Sequence, residues 1–191
     1  EGDQKVAAVR SMFDTIAPRY DRFTRVFSFG MDRRWKAELV DWIHAALRPE
    51  SRVLDLACGT GDLAFAAAAQ AVRGSVRGLD ASPKMIELAR ERATREAPHG
   101  NVRFQVGDMS SIDADAASVD AITAGYGLRN VPRYELAVRE IARVLRPGGV
   151  LCLVVKNYVK NGSIVPLADQ TAALLRHLGF AAASNEVVWI R

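Results

Sequence analysis

Cysteine is scarce in this 191-residue sequence. Cys58 and Cys152 cannot build a disulfide framework, and neither has a partner at metal-ligand spacing, so no metal site is expected. Both sit in apolar surroundings and read as free thiols of a reducing compartment. Only three histidines are present, His44, His99 and His177, which leaves few candidates for a proton acceptor. No apolar run approaches about 20 residues, so no membrane span is expected. The N-terminus is polar and then amphipathic, unlike a signal peptide, and a cytoplasmic location is expected. Strong charge of one sign is also missing. A net charge of +4, with Lys and Arg interspersed among acids, falls short of a nucleic-acid footprint and permits only weak attraction to anionic lipid. Internal repeats are absent. With 49% hydrophobic and 25% charged residues, the chain reads as one globular domain, able to bury roughly 70% of its unfolded surface.

The stretch Val53-Leu-Asp-Leu-Ala-Cys-Gly-Thr-Gly-Asp-Leu63 organises what is there. Val53, Leu54 and Leu56 read as a buried strand, and Gly59-Thr60-Gly61 as a turn opening directly into a helix. Glycines allow a ligand close to the backbone, and a helix start offers unpaired N–H donors. Upstream, Val6, Val9, Phe13 and Ile16 mark one helix. Trp35, Leu39, Trp42, Ile43 and Ala46 mark a second, with an aromatic linker, Phe23 to Phe29, between them. These aromatics pack into the core or form a lid over the turn. Downstream, strands are expected at 52–56, 75–80, 102–106, 119–124 and 150–155. Helices are expected at 62–71, from Ser82-Pro83 to about 96, at 134–144 with Leu136, Val138, Ile141 and Val144 mostly on one side, and at 170–178. Two short final strands follow. This alternation predicts an α/β fold with a doubly wound, mostly parallel sheet over residues 50–191 and a helical lid over 1–49.

In an open α/β sheet, ligands sit beyond the carboxyl ends of the strands. The candidates are therefore Asp55 with Gly59, Thr60 and Gly61, then Asp80 with Ala81, then Asp108 with Met109, and Gly125 leading into Arg129-Asn130. Asp80 lies about 20 residues past the glycines, where a carboxylate can accept both hydroxyls of an adenosine ribose. Asp108 is either an acceptor for an adenine amino group or a plain turn residue. Gly59-Thr-Gly-Asp-Leu-Ala64 also fits a loose dinucleotide pattern, but Asp55 beside the turn would repel a pyrophosphate. It would welcome the ammonium of an amino-acid moiety, which S-adenosylmethionine carries.

Val-Leu-Asp-Leu-Ala-Cys-Gly-Thr-Gly resembles the first motif of class I S-adenosylmethionine-dependent methyltransferases. More narrowly, the chain resembles the demethylmenaquinone and polyprenyl-benzoquinol C-methyltransferases of menaquinone and ubiquinone synthesis. Three further stretches carry this: Phe13 to Asp21 with Ser28 to Trp35, Tyr126-Gly-Leu-Arg-Asn-Val131, and Arg143-Val-Leu-Arg-Pro-Gly-Gly149. The resemblance runs from about residue 9 to 155. It implies a Rossmann-like class I methyltransferase fold, S-adenosylmethionine as cofactor with S-adenosylhomocysteine as product, and methyl transfer to a ring carbon of a reduced quinone. In that reading Arg129 stabilises a phenolate, Asn130 orients its oxygen, and Tyr20 closes the lid over the methionine end. The partner implied is a lipophilic quinol, with no nucleic acid. Peripheral membrane contact and a homodimer are left open.

Departures from the family pattern fall on the acceptor side. Phe23-Thr24 stands where the family has Met-Asn, Asp32 where it has His, and Val154-Val155-Lys156-Asn157 where it has Leu-Glu-Phe-Ser. These keep two alternatives in view: another small aromatic or natural-product acceptor, and a catalytically silent cofactor-binding protein. The family's longer insertion and final hairpin suggest that residues are missing near Lys160 and Ser184.

Overall fold

The computed structural model describes residues 45–96, 100–160 and 162–181, with positions 11, 15 and 39–41. Most of the expected lid, Tyr20 included, and the two final strands lie outside the described residues. Within them the order is β1 (Arg52–Leu56), α1 (Asp62–Gln70), β2 (Ser75–Asp80), α2 (Pro83–Glu96), β3 (Val102–Val106) and β4 (Val119–Gly125). A 3-10 turn (Gly127–Asn130), α3 (Tyr134–Val144), β5 (Leu145–Val154), β6 (Tyr158–Lys160), β7 (Ser163–Val165) and α4 (Leu167–His177) complete it.

Five strands form one parallel sheet in the order β3-β2-β1-β4-β5. The chain leaves β1 toward one edge and returns to β4 on its other side, so the switch point lies between β1 and β4. Alternation along the strands divides the core. Val53, Val76, Val102, Phe104 and Ala121 pack with Leu63, Ala64, Ala67 of α1 and Ile86, Ala89 of α2. Leu54, Leu56, Leu79, Ile122 and Ala124 face the opposite way, against Ala137, Val138, Ile141 and Val144 of α3. A central strand apolar on both faces is what a parallel sheet covered on both sides requires. The alanines of α1 let it lie close to the sheet. The start of α2 is as expected from Ser82-Pro83: the Ser82 Oγ accepts the Met85 N–H at 3.1 Å, and Pro83 occupies the first helical position.

Several expectations need correction. Leu136 is 38% exposed, and Ala137 takes its place on the buried side of α3. β5 begins at Leu145, not Val150: Leu145 pairs with Val119, and the ladder then shifts so that Val150 pairs with Ala121. The Pro147-Gly148-Gly149 turn is therefore an irregularity inside one strand, with Gly148 at φ 72°. The last helix starts at Leu167 rather than Gln170, because the Asn157 carboxamide oxygen reaches its first turn and accepts the Ala168 N–H at 3.0 Å. Gly179, at φ 88°, closes it as its position suggested. Between β5 and α4 a small antiparallel hairpin, β6–β7, was not anticipated. Its cross-strand pair Val159 and Ile164 is 67% and 72% exposed.

Candidate functional site

The turn after β1 is built from left-handed residues. Ala57, Gly59 and Gly61 have φ 51°, 55° and 96°. The Cys58 N–H donates to the Leu79 carbonyl at 3.1 Å, and the Gly61 N–H returns to the Cys58 carbonyl at 2.9 Å. Gly61 is required twice over. Besides its φ, a Cβ there would lie 2.7 Å from the Phe104 ring and 2.9 Å from the Phe65 ring. At Gly59 a Cβ would meet nothing within 4 Å among the described residues, so the backbone there is open to a ligand on their side.

Asp80, half-buried at the end of β2, holds this turn. Its Oδ2 accepts the Gly59 N–H at 2.9 Å and its Oδ1 the Ser82 N–H at 2.9 Å. Ala81 beside it is exposed and Thr60 is buried. From the other side, Arg92 of α2 clips the start of α1. Its guanidinium donates to the Asp62 carboxylate at 2.5 Å and the Thr60 carbonyl at 3.4 Å, and lies 4.7 Å from the centre of the Phe65 ring.

Asp55 is 1% exposed and faces Thr123 directly across the β1–β4 ladder. The Thr123 hydroxyl donates to Asp55 Oδ1 at 2.7 Å, and Oδ2 is buried without a hydrogen-bond partner. Burial pushes the Asp55 carboxyl up to about 7. The Thr123 hydroxyl and the Ala64 amide pull it back, and the charges of Asp80 and Asp62 push it further. A buried acceptor left empty in this way invites a donor, and a cationic one most of all. Burial also raises the Cys58 thiol well above its usual range and the Cys152 thiol to about 11, so both are held as neutral thiols.

Past β4, Tyr126 takes φ 57° and begins the 3-10 turn. Gly127 passes so close to the turn after β1 that a Cβ would overlap that of Ala57, 2.2 Å away. That contact sets the turn carrying exposed Arg129 and half-buried Asn130 against the turn carrying Gly59 to Gly61. Gly125 ends β4 opposite Val154. Past β3 the placement differs. Asp108 is exposed and spends its Oδ1 on the Ser110 N–H at 2.7 Å, in the manner of a turn residue, and Met109 is buried in the second core. Among the described residues, no group of three or more His, Cys, Asp or Glu could hold a metal ion.

The sequence reading missed Thr123 and Arg92, and it had Gly127 only within the segment past β4. Thr123 had no local signal, since its partner lies in another strand. Gly127 was legible only as part of a motif.

A model of the ubiE/COQ5 methyltransferase family matches residues 1–184. The chain is 41% identical over 147 residues, 76% of its length and 62% of the relative's, to the ubiquinone/menaquinone biosynthesis C-methyltransferase UbiE of Geotalea daltonii. It is 43% identical over 142 residues, 74% of its length and 60% of the relative's, to the 2-phytyl-1,4-naphtoquinone methyltransferase of Synechococcus elongatus. It thus spans about three-fifths of the length of these relatives. Among solved structures, it resembles a putative methyltransferase in complex with the Trm112 activator of Haloferax volcanii. There the TM-score is 0.68 and the identity 26%, over 92% of this chain and 78% of that one. It also resembles the [4+2]-cyclase SpnF, at a TM-score of 0.65 and 28% identity, over 77% of this chain and 57% of that one.

Proposed function

The chain belongs to the ubiE/COQ5 methyltransferase family, and from that premise we propose that it methylates a ring carbon of a reduced quinone precursor with S-adenosylmethionine as donor. One observation carries this reading. At the β1–β4 switch point, an open glycine turn held by Asp80 and an orphaned buried carboxylate oxygen of Asp55 lie against the turn that bears Arg129 and Asn130. The donor set fits the cofactor. Asp80 has the chemistry for ribose hydroxyls, Asp55 for an ammonium, and the Gly59 backbone leaves room for close approach. Ala81 and Met109 complete the adenosine side in this reading, with Thr60, Gly61 and Gly125 bordering it, and Asp108 shapes the turn beside it through its bond to Ser110.

The bound cofactor supplies an electrophilic methyl group. The chain's own residues prepare the acceptor. Arg129, carried exposed on the 3-10 turn, favours the phenolate that makes the adjacent ring carbon nucleophilic, and Asn130 orients the phenolic oxygen. Tyr20 closes over the methionine end. His177 is exposed at the end of α4, which suits it poorly as a base, and His44 and His99 lie outside the described residues; in this reading a phenol acidified beside Arg129 loses its proton to water.

A lipophilic acceptor makes a peripheral membrane contact part of the same reading. The exposed Val159–Ile164 pair, on a chain of net charge +4, supports anionic lipid as the surface it meets. No helix among the described residues is long and apolar enough to cross a membrane.

A second reading, a different aromatic acceptor, is favoured by Asn157. It stands in a segment that departs from the family pattern, and its side-chain oxygen is committed to the start of α4. Transfer of labelled methyl to demethylmenaquinol, run beside a panel of small phenols, tests both. Label in the quinol supports the first reading, and label only in phenols supports the second. Cofactor binding without any transfer returns the chain to a silent binding protein.

A further inference from the structure

Two strands bring together residues 68 positions apart. Asp55 and Thr123 are direct partners in the β1–β4 register, their side chains are 1% and 2% exposed, and one hydrogen bond of 2.7 Å joins them. They project to the sheet face covered by α1, as Val53 and Ala121 do two residues earlier in each strand. Thr123 therefore takes one of the two carboxylate oxygens, and the other is buried and makes no hydrogen bond to the described residues. A fully buried carboxylate half-satisfied in this way is costly, and protonation is the ordinary escape.

We propose that Thr123 is a positioning residue for cofactor capture: by donating to Asp55 Oδ1 it fixes the carboxylate and reserves Oδ2 for the ligand's ammonium, whose arrival expels a proton from Asp55. This rests on the S-adenosylmethionine reading. The balance is simple. A neutral carboxyl and an ammonium become a carboxylate–ammonium pair, the O–H bond of Asp55 breaks, and its proton leaves to solvent.

The surroundings set the direction. Asp80 from β2 and Asp62 from α1 carry charge that disfavours an ionised Asp55, and the thiol of Cys58 in the turn is held neutral. Asp80 is itself engaged with the Gly59 and Ser82 amides, and Asp62 with Arg92. Among the described residues, the Thr123 hydroxyl and the Ala64 amide favour the carboxylate before the ligand arrives. With the carboxyl at about 7 in the free protein, affinity for an ammonium-bearing ligand rises with pH up to that point and then levels.

The test is calorimetry on the full chain with two probes. S-adenosylhomocysteine carries the ammonium, and 5′-methylthioadenosine lacks the amino-acid moiety. Wild type should release a proton on binding S-adenosylhomocysteine between about pH 5.5 and 7, seen by repeating the titration in buffers of different ionisation enthalpy, and none on binding methylthioadenosine. Thr123→Val should bind S-adenosylhomocysteine roughly 10- to 100-fold more weakly. Its affinity should still be rising above the pH at which wild type has levelled, while methylthioadenosine binding stays unchanged. Thr123→Ser, which keeps the hydroxyl, should restore both. Equal loss for the two probes would make Thr123 a structural residue and overturn the proposal. So would the absence of ligand-specific proton release in wild type, which decides the matter even if Thr123→Val fails to fold. Binding of neither probe by wild type would instead sink the cofactor reading itself.

Discussion

The Oδ2 atom of Asp80 accepts the amide of Gly59 at 2.9 Å, and through it the end of β2 holds the turn that follows β1. The same carboxylate receives the Ser82 amide, at the start of α2. A carboxylate offers about four acceptor sites, so two amides do not exhaust it. Its geometry is set before any ligand arrives. Asp80→Ala should therefore weaken S-adenosylhomocysteine binding by about 1.5–3 kcal/mol, the scale of a hydrogen bond to a charged group. Asp80→Asn, which keeps one acceptor oxygen, should lose less. Unchanged affinity in calorimetry would remove Asp80 from the ribose site.

Gly59 and Gly61 share a left-handed backbone but not an environment. At Gly59 a methyl group meets open space, so Gly59→Ala should cost only the left-handed penalty of about 1–2 kcal/mol in unfolding free energy. At Gly61 the methyl group also strikes the Phe104 and Phe65 rings, and Gly61→Ala should add about 1–3 kcal/mol of overpacking. Denaturant unfolding of the two variants measures the difference. Equal losses would mean that the rings yield freely.

Much of this scaffold was legible because its signals are local. β1, β2 and β3 end where their apolar runs end, and α2 starts where Ser82 can cap it. What escaped depends on partners distant in sequence. β5 reaches back to Leu145 only because that residue pairs with Val119. Arg92 looks like an ordinary helix charge four residues from Glu96, yet it also grips Asp62 and Thr60. For the site, the glycine turn and Asp80 were readable from spacing. Thr123 was not, because only the β1–β4 register sets it opposite Asp55. Asp108 has the two readings its sequence allowed, and its bond to Ser110 favours the turn.

Arg129 sits exposed on the 3-10 turn, where a cation is open to an acceptor. Arg129→Ala should leave S-adenosylhomocysteine affinity within about twofold and lower methyl transfer by about 10²–10³, the usual loss for a group that stabilises developing negative charge. A large fall in cofactor affinity instead would move Arg129 from the acceptor to the cofactor.

Val159 and Ile164 stand opposite each other on the β6–β7 hairpin with most of their surface in water. Burying two such side chains in an interface is worth about 1.5–3 kcal/mol each. Wild type should sediment with vesicles containing phosphatidylglycerol at low salt. Val159→Asp combined with Ile164→Asp should not, while its melting temperature changes little. Equal sedimentation of both proteins would exclude the hairpin as the contact.

Asp55 also shapes stability against pH. Its carboxyl is raised from an ordinary 3.8 to about 7, chiefly by burial. Between those values the folded chain holds a proton that the unfolded chain has released. The contribution is fully present below about pH 4 and is lost as pH rises through about 7. Glu140 and Glu50 act in the opposite sense, since Arg143 and Arg73 lower them, so the wild-type profile alone mixes the two. Asp55→Asn isolates the buried group. The unfolding free energy of wild type minus that of the variant should fall from pH 4 to 7, by up to a few kcal/mol. Saturating S-adenosylhomocysteine should flatten the wild-type fall, because an ammonium at Oδ2 stabilises the carboxylate that high pH creates. Parallel wild-type and variant curves would show that Asp55 is ionised throughout and that its orphaned oxygen finds a donor without a ligand.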